Sequence, residues 1–365
     1  MGKSRFKMAL LGLPALMVLL LLSACGSTPT GNNTSAPKFQ VGLVTDIGGL
    51  NDRGFNQLAH TGYEQAEAKY HFKDSIIETT NTSDYIKNLT TAAQSNDLVV
   101  GVGFLMAQAI DQVAKNFPNK KFALVDSCAA IDANGTCDPN IKNVTPLLFK
   151  EQQAGCLVGV VAGKMETDGK SAAPKLLGAN TIGAVGGIPV PAVERYIAGY
   201  KYCAQQVDPN VHVVVSYSND FTDTSKCADP ADAMIKQKKA DIIFQVAGGC
   251  GIGALNAADA DGVYGIGVDT DQGYIHPDSI ITSAEKRVDV AVDTIIEQTE
   301  QGNYPSDPLN YPQFDLNNNG VIAAPLSSAV PSDVQPVVNQ YIDKIKSGQI
   351  NIPTSCAPAP NCASS

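Results

Sequence analysis

Tryptophan is absent from the 365-residue chain, aromatic residues make up 6% of it, and only four histidines occur. Any ligand that needs an aromatic platform must find it in a particular Phe or Tyr. His60, His71, His212 and His276 lie far apart and no Cys-x-x-Cys pair exists, so the ligand spacing of a zinc site is missing. Blocks of Lys or Arg are missing too, and the formal net charge is −10. Such a surface repels phosphate backbones, which argues against a nucleic-acid partner. No G-x-S-x-G, H-E-x-x-H or P-loop is present, and no His stands with a Ser or Cys nucleophile in a fitting motif. The expectation is a chain that is not an enzyme and carries no cofactor or metal. The apolar run from Met8 to Leu22 falls short of the about 20 residues that cross a bilayer.

That run belongs to an ordered series. Lys3, Arg5 and Lys7 precede it, and Leu22-Ser23-Ala24-Cys25 closes it. Charged, apolar and small segments in this order form a secretory signal peptide. Its small-small-Cys ending resembles the lipobox of bacterial lipoproteins, in which the Cys25 thiol would be acylated and become the first residue of the mature chain. Removing residues 1–24 takes away three basic and no acidic residues, so 341 residues remain and the charge of −10 becomes −13. Residues 26–37, rich in Gly, Ser, Thr, Asn and Pro, have little to bury and read as a flexible tether from a bacterial membrane's outer face. The eight remaining cysteines form an even set in an exported chain, which suggests disulfides. Cys128 with Cys137 and Cys356 with Cys362 are the expected pairs, because each spans a short polar or Pro-rich loop.

From Phe39 onward, short apolar runs alternate with longer helical segments. Eleven runs bounded by Gly, Asp or Pro have the near-continuous Val/Ile/Leu/Ala content of parallel strands buried on both faces. They lie at 39–45, 75–78, 98–101, 121–126, 141–147, 181–185, 211–216, 242–246, 262–268, 280–283 and 321–324. Helices are expected at 54–69, 107–116, 152–164, 190–206, 231–238 and 285–302, and another in the C-terminal segment 331–365. This alternation predicts a doubly wound α/β fold. Eleven strands exceed one such sheet, so two Rossmann-like lobes are expected. One comprises 38–149 with 284–318, the other 150–283 with 319–330, and three crossings form the hinge. Ligands of open α/β sheets bind beyond the carboxyl ends of the strands, and two facing lobes turn those ends into a cleft.

The segment Thr45-Asp46-Ile47-Gly48-Gly49-Leu50-Asn51-Asp52-Arg53-Gly54-Phe55-Asn56-Gln57 follows the first strand and opens the first long helix. Its glycines permit close backbone approach to a ligand, Asn51 or Asp52 can cap the helix, and Phe55 falls in the first turn. Taken alone, Phe55 reads equally well as core packing. The segment nevertheless resembles the signature of the basic membrane protein family of extracytoplasmic solute-binding lipoproteins, which includes nucleoside-binding components of ABC transporters. Lys121 to Asp126, Glu151 to Gly155, Val246 to Gly251, Gly267 to Gln272 and Lys286 to Val288 match its later motifs in order. The resemblance runs from about Val41 to Gly302.

It implies a fold like that of type I periplasmic binding proteins, with a purine held between two rings and a ribose gripped from both lobes. Carried onto this chain, Phe55 and Phe221 would be the rings, the second on a looser match. Asp126 would accept hydrogen bonds from the base edge, aided by Asp46 or Asn56. Asp269 would take the ribose hydroxyls with backbone near Gly249, and Lys286, on the returning helix, would donate to the same sugar. The implied function is capture of nucleosides by a lipid-anchored monomer for an ABC permease; riboflavin, a sugar, or ligand sensing without transport are the alternatives.

Two motifs imitate other chemistry. Gly249-Cys250-Gly251-Ile252-Gly253-Ala254 fits the dinucleotide fingerprint, with Asp269 twenty residues on, but it lies deep in an exported chain with no supply of such a cofactor. Asp315 to Gly320 imitates an EF-hand start, yet Leu326 stands where a bidentate Glu is required. A solvated turn accounts for it.

Overall fold

Alternating runs of this kind leave the central strands buried on both faces, and the computed structural model, which describes residues 39–356 and 362–364, has two such sheets. The signal segment, Cys25 and the tether lie outside the described residues. The first sheet holds β1 (Val41–Val44), β2 (Ile76–Ile77), β3 (Leu98–Val102), β4 (Lys121–Val125) and β5 (Val144–Leu147). Its order is β2-β1-β3-β4-β5 and every pairing is parallel. The second holds β6 (Thr181–Gly186), β7 (His212–Tyr217), β8 (Ile242–Val246), β9 (Tyr264–Asp269), β10 (Ile280–Lys286) and β11 (Val321–Ala323). Its order is β11-β10-β9-β8-β6-β7, with β11 alone antiparallel. Each of the eleven expected strands is present. Parallel neighbours need helical crossovers, and those helices cover both faces of each sheet.

Nine α-helices occur among the described residues: α1 (Phe55–Tyr70), α2 (Tyr85–Ser95), α3 (Ala107–Asn116), α4 (Glu151–Asp168), α5 (Pro191–Val207), α6 (Thr224–Lys238), α7 (Gly251–Ala260), α8 (Val288–Glu300) and α9 (Val334–Lys346). Two depart from expectation. The helix expected at 231–238 begins seven residues earlier, because Asp223 caps it by accepting the Ser225 N–H at 3.0 Å and Pro230 is carried inside. The helix expected at 285–302 starts only at Val288, so Glu285 and Lys286 finish β10 in the second sheet and not the returning helix. Residues 284–286 therefore belong with the second lobe, and α9 packs on α4 of that lobe.

The most extensive helix contact is that of α4 with α5. A methyl group added at Gly155, Gly159 or Gly199 would come within 2.1, 2.3 or 2.1 Å of Tyr196, Tyr200 or Gln152 carbonyl oxygen. Glycine spaced by one turn lets the two backbones touch, and the Cys156–Cys203 disulfide crosses the same seam. Further disulfides join Cys128 to Cys137, as expected, Cys227 to Cys250, and Cys356 to Cys362, again as expected.

The chain passes between the sheets at 148–150, at 286–288 and at 314–320. These passages are tied together. Phe314 donates its N–H to Leu148 O at 2.8 Å, Lys150 donates to Phe314 O at 2.9 Å, and Arg287 donates to Gly320 O at 2.9 Å. Phe149 stacks on Phe314 with ring centroids 5.0 Å apart.

Candidate functional site

The carboxyl ends of strands from both sheets converge on one cleft. Asp46 follows β1, Phe104 follows β3 and Asp126 follows β4; Phe221 follows β7, and Asp269 and Lys286 end β9 and β10. All six line it, within an empty volume of about 670 Å3 that includes its open mouth. Asp126 and Asp269 have φ of 70° and 65°, a region that residues with a Cβ seldom occupy and that often marks a functional position. Gly103, with φ of 102°, is required for a second reason: a Cβ there would lie 2.2 Å from Asp46 Oδ2.

Asp52 organises the first wall. Its Oδ1 accepts the Gly54 and Gln57 N–H groups at 3.0 and 3.1 Å, and its Oδ2 accepts the Asn56 N–H at 2.8 Å and Asn56 Nδ2 at 3.0 Å. These are donors that the start of α1 would otherwise leave unpaired. Asn56 in turn accepts the Asp46 N–H at 2.9 Å. Phe55 is thereby fixed at the helix start beside Asp46. Of the two capping candidates it is Asp52 that caps and lines the cleft, while Asn51 is exposed and off it. Asp46 accepts the Tyr85 hydroxyl and the Ile47 N–H. Burial pushes its carboxyl up to about 6 against those hydrogen bonds.

Lys286 is the centre of the site, with 2% of its side chain exposed. Its Nζ donates to both oxygens of Asp126, at 2.8 and 3.0 Å, across the two lobes. Glu151 Oε1 stands 3.8 Å from it and Asp269 Oδ1 4.0 Å. The rings of Phe55, Phe149 and Tyr196 surround it, with centroids 4.7, 5.4 and 5.7 Å from Nζ. Burial alone would lower the ammonium's pKa, but the carboxylates of Asp126, Asp269 and Glu151 together raise it. Burial lifts Asp269 to about 7; Lys286 opposes the shift, and the like charges of Asp126 and Asp52 add to it. Glu151 is fully buried and held by Arg195, whose Nε is 2.6 Å from Oε2. Burial raises its carboxyl against the pull of Arg195 and Lys286.

The lobes touch. Gln272 Nε2 donates to Arg53 O at 3.1 Å while its Oε1 accepts from Val268 N–H and Gln245 Nε2. The Tyr196 hydroxyl lies 3.4 Å from Asp269 Oδ1. Deep in the cleft, carboxylates thus outnumber cations, and they present acceptors to any hydroxyl or amine that enters.

Of the positions singled out from sequence, Asp46, Phe55, Asn56, Asp126, Phe221, Asp269 and Lys286 share this lining. Gly249 stands just behind it, 3.4 Å in Cβ terms from Phe221 O, and its neighbour Gly248 reaches the lining. Tyr196, Phe104 and Val193 also line it without a sequence signal of their own. Gly103-Phe104 follows the end of β3 as Asp46 follows β1, and that position was the available clue.

Residues 39–355 match the Bmp family, described as ABC transporter substrate-binding protein, PnrA-like. A CD4+ T-cell-stimulating antigen of Listeria innocua is 33% identical, covering 92% of this chain and 94% of the relative. The ABC transporter nucleoside-binding protein BmpA of Lactococcus lactis is 29% identical, covering 93% and 97%. Among crystal structures, the solute-binding proteins of an ABC transporter system from Aeropyrum pernix K1 superpose with a TM-score of 0.77 at 26% identity, over 88% of this chain and 94% of that one.

Proposed function

The chain belongs to the Bmp family of PnrA-like ABC transporter substrate-binding proteins, and from that membership we propose that its cleft captures nucleosides, purine nucleosides foremost, for a membrane permease. It is a solute-binding component and not an enzyme. The observation that carries the finer reading is that Phe55 and Phe221, from opposite lobes, line one cleft together with the carboxylates of Asp126 and Asp269. Two rings suit a flat base, and a stacked base gains about 1–3 kcal/mol per ring in single-strand binders. Asp269 suits a vicinal diol, and Asp126 keeps acceptor capacity for a base edge after bonding Lys286. The nucleoside-binding relative from Lactococcus lactis supports the same class of ligand.

Ligand contacts from both lobes favour the closed arrangement, so a nucleoside shifts an open–closed equilibrium by its differential affinity. The closed face then meets the permease. Acylation of Cys25 anchors the monomer to the outer face of the cell membrane, and mass spectrometry of the mature N-terminus tests that part. The central experiment is calorimetry of the mature protein against adenosine, guanosine, uridine, riboflavin and ribose. Tightest binding of the purine nucleosides is expected. Binding of riboflavin or ribose with none of the nucleosides would overturn the reading.

A further inference from the structure

Phe221 is only half-buried, so packing covers only part of its ring. What fixes it comes from two backbone segments that flank it in space. On one side Cys250 donates its N–H to Phe221 O at 3.0 Å, and Cβ positions at Gly248 and Gly249 would each lie 3.4 Å from that oxygen. On the other side the chain runs from Phe221 straight into α6, whose first turns carry Cys227. The ring itself lies on Gly187, where a Cβ would come within 2.3 Å of Phe221 Cε1. The Cys227–Cys250 bond joins the two flanking segments. Both sulfurs' residues are fully buried, so the bond acts by geometry and not as an exposed thiol pair.

We infer that the Cys227–Cys250 disulfide is a positioning device for Phe221, holding that ring on its wall of the cleft before the ligand arrives. The inference rests on the nucleoside reading above in taking Phe221 as a stacking partner. A ring held in place is ordered before binding, so less freedom is lost when a base stacks on it. Loss of the bond should therefore shorten the residence time of the ligand more than it slows association.

A disulfide also stabilises the fold, so a fall in melting temperature says nothing about positioning. The discriminating quantity is the coupling between the bond and the ring. Adenosine binding is measured for the mature protein, for Cys227→Ala/Cys250→Ala, for Phe221→Ala and for the triple variant, well below every melting temperature. The disulfide variant should bind about tenfold more weakly, mostly through a faster koff. In the Phe221→Ala background the same change should move Kd by no more than about twofold, since the two effects are not additive when one group acts through the other. Cys156→Ala/Cys203→Ala, which breaks the bond between α4 and α5, should lower the melting temperature and leave Kd unchanged. Unchanged affinity in the Cys227/Cys250 variant, or an equal loss with and without Phe221, overturns the inference. If the alanine pair does not fold, Cys227→Val/Cys250→Ala refills the buried volume and goes through the same measurements.

Amide hydrogen exchange of the ligand-free protein decides the matter even if no nucleoside binds and the functional reading falls. The amide at position 250 should lose protection in the disulfide variant while those of β8 and α7 keep theirs. Retained protection at 250 overturns the positioning role independently.

Discussion

Asp269 shows how much one backbone position can carry. It ends a buried strand in a left-handed conformation, faces Lys286 at 4.0 Å, and has its carboxyl pushed up to about 7 by burial. If the ionised carboxylate accepts a ribose diol, binding releases a proton, so ribonucleoside affinity should rise between about pH 6 and pH 8 and then level off. Asp269→Asn should flatten that profile. Breaking a hydrogen bond to a charged buried group costs about 1.5–3 kcal/mol, so Asp269→Ala should weaken ribonucleosides about ten- to 150-fold. A 2′,3′-dideoxynucleoside should bind the unmodified protein almost as weakly. Calorimetry reads both, and equal affinity for the ribo- and dideoxy-ligands would remove Asp269 from the sugar. Asp269 and Phe55 could be picked from sequence because glycines, strand ends and ordered motifs surround them. Tyr196 could not: it sits mid-helix and packs edge-on against Phe244 with centroids 6.2 Å apart, as any core residue would. Lys286 was legible as a site residue but not as Asp126's partner, since the pairing joins positions 160 residues apart.

At the scale of elements, the strands were legible throughout because a strand buried on both faces is written as an unbroken apolar run. Helix starts were less so. Pro230 normally marks a break because it lacks an N–H and crowds the preceding turn. Here α6 begins upstream at Thr224, where the Asp223 cap, the disulfide at Cys227 and the close approach of Gly253 on α7 hold its first turns. The contact of α4 with α5 was likewise invisible, since Gly155, Gly159 and Gly199 read as weak helix formers until the partner backbone is seen. Only one end of that seam meets the cleft, where α4 begins with Glu151 and α5 carries Arg195 and Tyr196. Gly159→Ala would place a methyl 2.3 Å from Tyr200 O. Overpacking of this kind typically costs about 1–3 kcal/mol, so the variant should unfold at lower denaturant with an unchanged slope. An equal midpoint would mean that the two helices can separate at no expense.

For the whole molecule, charge sets opposing demands on stability and binding. Glu166, at the far end of α4, is held protonated to about 10, first by burial and then by its hydrogen bond with Asp241. Glu166 Oε1 and Asp241 Oδ1 are both buried without a hydrogen-bond partner, so a proton on Glu166 supplies a donor that the two carboxylates would otherwise lack. Asp46 and Asp269 are raised as well, to about 6 and 7. A carboxyl raised in the folded state binds more protons there than in the unfolded chain, so its stabilisation is complete below about pH 4 and is lost as pH climbs through the folded value. Other carboxyls have lowered values, Asp132, Asp138 and Asp315 among them: hydrogen bonds from Thr136 hold Asp132 down, Lys115 holds Asp138 down, and Lys150 with backbone N–H groups outweighs burial at Asp315. These lose stability only in acid. An acidic chain of net charge −10 adds self-repulsion at the alkaline end. The melting temperature of the ligand-free protein should therefore peak in mildly acidic buffer and fall steadily towards pH 9. Glu166→Gln, which supplies a permanent donor to Asp241, should flatten the alkaline limb and leave the acid limb unchanged. Binding runs the other way if it uses ionised Asp269: saturating adenosine should raise the melting temperature more at pH 8 than at pH 6. Thermal scans across that range test both limbs at once, and a melting temperature that climbs from pH 5 to pH 9 without ligand would show that Glu166 is not held protonated.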